Sequence, residues 1–433
     1  MMKAMNKKIG IVSLGCDKNR VDTENMLYYL KDGDFEITND YASADIIIVN
    51  TCAFIESARA EAIDTILDMA EYKKTGKCQQ LIVTGCLPEK YREQLVDGLP
   101  EVDAFLGVRE YEKIAKVVGY LDNDSEVTDK RILTTPQHYA YLRIADGCDN
   151  HCTFCTIPSI RGKYKSVPEN DVLKQASYLE KMGVKEIILI AQDVTSYGKD
   201  IYGKPSLVSL LKKLSQYNFD WIRLMYCYPE LVTDELIEEI CTNPKIAKYI
   251  DIPLQHVDDG ILKLMNRRSR QAEIISIINK LRAKCPEIAI RTTFMVGFPS
   301  ETEEQFENLC AFAKEYKLDH VGVFAYSKED DTASAKIKGH LDDQIKMERV
   351  DVLGAILEKN NCEANEKFVG KTVKVLYEDI DYEKNMFVGR TQYNAPEIDS
   401  VVYFTGEFAD IGEFYNVKIT AVDGYDLIGE IEE

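Results

Sequence analysis

Six cysteines of this chain form two groups of three, and each group has the make-up of an iron–sulfur ligand set. The compact group is Cys148, Cys152 and Cys155, a C-x3-C-x2-C spacing within Cys148-Asp149-Asn150-His151-Cys152-Thr153-Phe154-Cys155. Three thiolates can hold three irons of a four-iron cluster and leave the fourth iron open. An open iron can be chelated by the amino and carboxylate groups of S-adenosylmethionine (SAM), and a low-potential cluster can pass one electron to its sulfonium. Two plainer readings stand beside this one: a zinc site with His151 as fourth ligand, and unligated core cysteines. Zinc motifs usually pair two C-x2-C halves, and no second half follows at the usual distance.

The dispersed group is Cys16, Cys52 and Cys86, separated by 36 and 34 residues. Each follows an apolar run: Ile9–Val12, Ile46–Val49 and Leu81–Val83 read as buried parallel strands. Helical stretches over Asp22–Leu30 and Ile55–Tyr72 separate them, so residues 8–120 read as a doubly wound α/β unit. In such a sheet the carboxyl ends of the strands share one edge, where ligands bind. Topology therefore brings three distant cysteines to one place. Gly15 and Gly85 let the backbone turn tightly there. A helix starting near Ile55 would place its positive end by Cys52 and favour the thiolate. Cys78, Cys227, Cys241, Cys285, Cys310 and Cys362 share no register and read as packing or incidental thiols.

The elements around the compact group alternate. Strands are expected at Tyr141–Ala145, Glu186–Ile190, Trp221–Tyr226, Tyr249–Ile252, Ile288–Val296 and His320–Tyr326. Helices over Val172–Met182, Leu207–Leu214, Glu235–Cys241, Ile274–Lys284 and Glu303–Tyr316 lie between them. Six βα units suggest an open, partial β/α barrel, with the cysteine loop after its first strand at the catalytic face. A polar stretch from Asn123 to Gln137 reads as a linker, and a long helix spans about Asp342–Phe368. Beyond Gly370, Thr372–Leu376, Met386–Gly389, Val401–Phe404, Tyr415–Ala421 and Asp426–Ile431 read as five short strands of a small barrel.

The 433 residues, 45% hydrophobic and 29% charged, suit a soluble globular protein of several domains. The longest apolar runs, such as Ile187–Ala191, are strand-sized, and Met1–Gly10 has no apolar leader, so the cytoplasm is the default and no membrane partner is expected. Twelve cysteines in that compartment point to metal or cluster ligation rather than disulfides. A net charge of −20 argues against general nucleic-acid binding and suits a basic partner.

The cysteine motif at the first of six βα units, with Phe154 before its last cysteine, resembles the radical-SAM superfamily. That resemblance implies SAM contacts from loops after later strands. Ala191-Gln192-Asp193 stands where the family has Gly-Gly-Glu, making Gln192 and Asp193 candidates beside Phe154; as an alternative, Asp193 is a polar residue capping a strand end. With the three-cysteine α/β domain (7–122), the barrel (134–364) and the small antiparallel β-barrel (366–433, TRAM-like), nearly the whole chain resembles the methylthiotransferases. The resemblance implies two [4Fe–4S] clusters, one on Cys16, Cys52 and Cys86 and the other on Cys148, Cys152 and Cys155. It also implies an electron donor and SAM used twice, as methyl donor and as source of a 5′-deoxyadenosyl radical. No catalytic residue beyond the cluster ligands is assigned.

Members of that family modify either tRNA adenosine or an aspartate of protein 12 of the small ribosomal subunit. Ser13-Leu14-Gly15-Cys16-Asp17-Lys18-Asn19, Pro158-Ser159-Ile160-Arg161-Gly162 and Ala395-Pro396-Glu397-Ile398-Asp399 resemble the ribosomal-protein type, although Asp17, Asn394 and Ser400 depart from its pattern. Charge points the same way: residues 367–433 carry six Lys/Arg against fourteen Asp/Glu. A tRNA-docking domain needs a basic footprint, whereas an acidic one, with a cluster at Glu378, Asp379, Asp381 and Glu383, complements a basic ribosomal protein. A tRNA methylthiotransferase of the same fold, and a non-enzymatic iron–sulfur or zinc ribosome-binding protein, are the alternatives.

Overall fold

A computed structural model of the chain describes residues 7–31, 33, 35–119 and 130–432. The start of the chain before Lys7, the end of the expected first domain after Gly119 and the expected linker up to residue 129 lie outside the described residues. The chain forms two compact units. The first comprises residues up to Thr134 together with Asp146–His151 and Cys155–Lys165; the second comprises Thr135–Ala145, Cys152–Phe154 and everything from Ser166.

The first unit is built on five strands: β1 (Lys7–Ser13), β2 (Phe35–Thr38), β3 (Ile46–Thr51), β4 (Gln80–Gly85) and β5 (Ala104–Gly107). They pair in parallel in the order β2-β1-β3-β4-β5. Every residue of β3 is buried, as its apolar run demands of a strand covered on both faces. The helix Glu56–Thr75 buries Ala62, Ile66 and Ala70, one stripe at four-residue spacing. Two edge strands, β2 and β5, and the helix Cys86–Gly98 are additions to the elements expected from sequence.

The second unit holds β6 (Tyr139–Arg143), β7 (Glu186–Ile190), β8 (Trp221–Leu224), β9 (Ile246–Asp251), β10 (Ala289–Val296) and β11 (His320–Ala325). These pair in parallel in strict sequence order and β11 does not return to β6, so the barrel is open. After the helix Asp343–Glu366 come β12 (Thr372–Asp381), β13 (Met386–Arg390), β14 (Val402–Thr405), β15 (Phe414–Asp423) and β16 (Asp426–Ile431), closed in the order β12-β13-β14-β16-β15. Val375 and Tyr377, Val402 and Phe404, and Val417 and Ile419 fill its interior at the two-residue period of a strand. The expected antiparallel pattern has one exception: β14 and β16 run parallel, because β15 crosses over to pair with β12. Among the described residues no helix is long and apolar enough to cross a membrane.

The small barrel is fastened to the six-stranded sheet by buried charge. Arg390 is 1% exposed and donates to Glu378, to Glu186 Oε2 at 2.8 Å and to the carbonyl of Asn394 at 2.8 Å. Glu186 in turn accepts from Arg223 at 2.6 Å, and the His138 ring lies 3.0 Å from Glu378. Burial pushes the Glu378 carboxyl up, but Arg390 and the His138 hydrogen bond outweigh it and hold the group down at about 2. Glu378 therefore does not belong to the exposed acidic surface expected of it; Asp379 and Glu383 do. The reason is position along the strand, which turns Glu378 toward Arg390.

Candidate functional site

Adjacent strands β1, β3 and β4 deliver the dispersed cysteines. Cys52 and Cys86 are the residues next after β3 and β4, and Cys16 lies three past the end of β1. The loop of Cys16 sits directly on Cys52: at Gly15 (φ +87°) a Cβ would lie 2.7 Å from Cys52 Cβ and 3.1 Å from its Sγ. Only glycine permits both that φ and that approach. Cys16 is exposed, Cys52 half-buried and Cys86 buried.

Asn19 locks the loops to one another. Its Nδ2 donates to the carbonyls of Leu14 (3.0 Å) and Thr51 (2.9 Å), and its Oδ1 accepts from the Cys86 thiol (3.5 Å) and from Arg161 Nη2 (2.7 Å). Burial pushes the Cys86 thiol up to about 12 against the pull of Arg161. Burial likewise raises Cys52 above its ordinary value, against the N–H groups of Phe54 and Ala53. The expected thiolate-favouring helix end is thus outweighed; the helix itself begins only at Glu56. Thiols in such a setting ionise when a metal takes the place of the proton.

Among the described residues no three or more His, Cys, Asp or Glu side chains form a group that could hold a metal ion. The three thiols are tied to one another through Asn19 and the close approach of Gly15 to Cys52. Three thiols are a fitting donor set for a polynuclear cluster, which takes one thiolate per iron.

The compact motif divides between the units. Cys148 and Cys155 belong to the first. Each sulfur accepts a backbone N–H from two residues on, Asn150 to Cys148 and Ile157 to Cys155, both at 3.4 Å. Such N–H···S bonds stabilise a ligating thiolate. Cys152 belongs to the second unit, where it is buried beside two groups that the sequence did not single out. The Tyr228 hydroxyl lies 3.5 Å from its sulfur, and Arg267 Nη1 donates to it at 3.7 Å. Arg267 stacks over the Tyr228 ring at 4.3 Å and also donates to the carbonyl of Pro253. Burial would lower this guanidinium, but Tyr228 and Cys152 hold it above its ordinary value.

The SAM candidates sit in the second unit as well. Phe154 meets Phe298 edge-on at 6.4 Å and packs against Met265, Met295 and Tyr326. Gln192 and Asp193 lie two and three residues past the end of β7. Asp193 is 1% exposed and caps the turn Val194–Ser196, accepting from Thr195 Oγ1 (2.5 Å), Ser196 Oγ (2.7 Å) and Ser196 N (3.2 Å). Thr195 Oγ1 accepts in turn from Tyr228 N at 3.2 Å, so Asp193 is linked through Thr195 to the tyrosine beside Cys152. Of the remaining cysteines, Cys78, Cys227, Cys285 and Cys310 are buried and Cys241 and Cys362 half-buried.

Three family models match the chain: an uncharacterized protein family, UPF0004, over residues 8–107; the radical SAM superfamily over 142–313; and the TRAM domain over 369–431. Among solved structures, the radical S-adenosylmethionine methyltransferase TsrM from Kitasatospora setae matches with a TM-score of 0.54 at 12% identity, over 76% of this chain and 77% of that one. The S-adenosylmethionine radical enzyme OxsB matches at 0.51 and 14%, over 82% and 56%. At those identities the likeness concerns the fold alone. Whole-length relatives are much closer. The ribosomal protein uS12 methylthiotransferase RimO of Clostridium botulinum (strain Eklund 17B / Type B) is 49% identical, with 98% of each chain covered. Its counterpart from Acetivibrio thermocellus is 46% identical, with 99% of each covered. With all three parts matched in order and near-complete coverage on both sides, the chain belongs to the RimO family of ribosomal protein uS12 methylthiotransferases.

Proposed function

We propose that this protein is a cytoplasmic radical SAM methylthiotransferase that adds a methylthio group to the β-carbon of an aspartate in ribosomal protein uS12. The observation that carries this reading is the second cysteine trio: a radical-SAM motif alone accounts for SAM cleavage, and only a further three-thiol site accounts for a sulfur donor. Cys148, Cys152 and Cys155 would hold one four-iron cluster, and Cys16, Cys52 and Cys86 the other. When bound, these groups supply one electron for cleavage of SAM and the sulfur that is transferred.

The chain's own residues bury, orient and neutralise. Arg267 sets a fixed positive charge against Cys152, and Asn19 holds the loops of Cys16 and Cys52 together. The acidic face of the small barrel, including Asp379 and Glu383, attracts the basic substrate. The excess of acid over base across residues 367–433 disfavours tRNA as the target. Anaerobic turnover with SAM and a reductant, offering a uS12 peptide and tRNA in parallel, tests the reading. The expected product is a single peptide carrying one added sulfur and methyl by mass spectrometry. Methylthiolated adenosine with the peptide untouched would reverse the substrate assignment.

Phe154, Gln192 and Asp193 are proposed to shape the SAM pocket, with Asp193 acting through Thr195 and Tyr228. Asp193→Ala is expected to weaken SAM binding by about tenfold, the usual scale for a lost supporting hydrogen bond, with cluster absorbance retained. Unchanged affinity by calorimetry would remove the residue from the site.

A further inference from the structure

Arg161 lies outside both cysteine motifs, and the proposed reaction gives it no part. It closes the short helix Ile157–Arg161, whose Ile160 is buried in the same core as Val49, Ala53 and Cys86. At 4% exposure its guanidinium is inside the first unit. Nη2 donates to Asp22 Oδ2 at 2.9 Å and Asn19 Oδ1 at 2.7 Å and stands 3.9 Å from Cys86 Sγ. Nη1 grips both oxygens of Asp146 at 3.2–3.3 Å. One end of the same turn is pinned nearby, where Thr156 Oγ1 donates to the carbonyl of Phe54 at 3.4 Å, two residues beyond Cys52.

A buried cation with four partners, one of them a cysteine sulfur, does more than fasten a helix. Reduction of a cluster adds one negative charge, and a fixed positive charge a few ångströms away in a dry site favours the reduced state. The planar fork meets a carboxylate, an amide oxygen and a sulfur on one side and a second carboxylate on the other. We propose that Arg161 is a positioning and charge-setting residue of the Cys16–Cys52–Cys86 site: it orients Cys86 through Asn19 and raises the reduction potential of the cluster held there. Asp22 and Asp146 set how much of its charge the cluster feels. This inference rests on the assignment of those three cysteines as ligands.

The test uses the full chain with Cys148, Cys152 and Cys155 all changed to Ala, so that one cluster remains, and follows its reduction by electron paramagnetic resonance at controlled potential. At a fixed potential near the midpoint, Arg161→Gln is expected to lower the reduced-to-oxidised ratio about tenfold, equivalent to 59 mV for one electron. Asp22→Asn, which unmasks the same charge, is expected to raise the ratio, and Arg161→Lys to stay within about threefold of the parent. A purely structural ion pair would change stability and leave these ratios alone. Ratios within threefold of the parent for both Arg161→Gln and Asp22→Asn, or shifts of both in the same direction, would overturn the proposal. Should Arg161→Gln not retain iron, the double variant Arg161→Gln/Asp22→Asn, which buries no lone charge, decides: a ratio about tenfold below that of Asp22→Asn alone supports the proposal, and one within threefold of it overturns it. A parent that holds no cluster at all would overturn the ligand assignment, and the role of Arg161 with it.

Discussion

Replacing Cys148, Cys152 and Cys155 together by Ala is expected to remove about half of roughly eight irons, two clusters of four, and to abolish reductive cleavage of SAM. The matching replacement of Cys16, Cys52 and Cys86 is expected to remove the other half yet leave cleavage measurable, while methylthiolation is lost. The asymmetry follows from the parts proposed for the two groups, the compact one serving SAM cleavage and the dispersed one the sulfur. The dispersed trio is held by three neighbouring strands and Asn19 within the first unit. Cys152 lies in the second unit against Tyr228 and Arg267. Iron and sulfide analysis after anaerobic reconstitution, with 5′-deoxyadenosine measured in the same samples, reads both effects. Full iron content in either triple variant would show that its cysteines are not the ligands.

The second large effect concerns Arg390. Its removal leaves Glu186 with Arg223 alone and the half-buried Glu378 with His138 alone, and breaking a buried pair from one side costs up to about 3–5 kcal/mol. Arg390→Met is therefore expected to shift the urea midpoint of the second unit strongly downward. The single tryptophan, Trp221, is a convenient reporter: it is 4% exposed at the start of β8 and meets Phe414 of β15 edge-on at 4.7 Å. The same contact gives a pH dependence. The Glu378 carboxyl is held at about 2 in the folded chain, below the 4.5 of a free glutamate. A depressed carboxylate stabilises fully above its unfolded value, and that stabilisation is lost as pH falls from about 4.5 through about 2. Glu378→Gln is expected to flatten the acid limb of the Trp221 transition in that window. An unchanged midpoint for Arg390→Met would mean that the barrel is held by its apolar contacts alone.

Much of this was readable from the residues. The all-buried strand Ile46–Thr51 announces itself through the β-branched run Ile46–Val49, and the spacing of Cys16, Cys52 and Cys86 carries the period of the βα unit. What escaped is short or conditional. β2 and β5 have four residues each and lie at the sheet's edges; exposed Glu36 interrupts the apolar pattern of β2, and the run in β5 is only Ala104–Leu106. The helix opening at Cys86 carries Pro88 in its first turn and is kinked at Tyr91, so it lacks a clean periodic stripe. Arg161, Arg267 and Tyr228 are ordinary polar residues until the fold sets each beside a cysteine more than 70 residues away in sequence. Glu378 was misread for the converse reason: in sequence it is one of four neighbouring acids, and only the strand decides which of them meets Arg390.

The division of the chain between its units has a consequence for biosynthesis. When a ribosome has made Thr134, every strand of the first sheet exists, but Asp146 and Arg161 do not, and the unit claims chain as far as Lys165. At roughly 5–20 residues per second the missing segment follows within seconds. Until then Asp22, Asn19 and Cys86 are without their contacts to Arg161. Iron loaded before that moment would meet a site still without Arg161. Completion of the first unit is thus timed by the segment that also carries Cys148 and Cys155, whereas Cys152 waits for Tyr228 and Arg267, made later still.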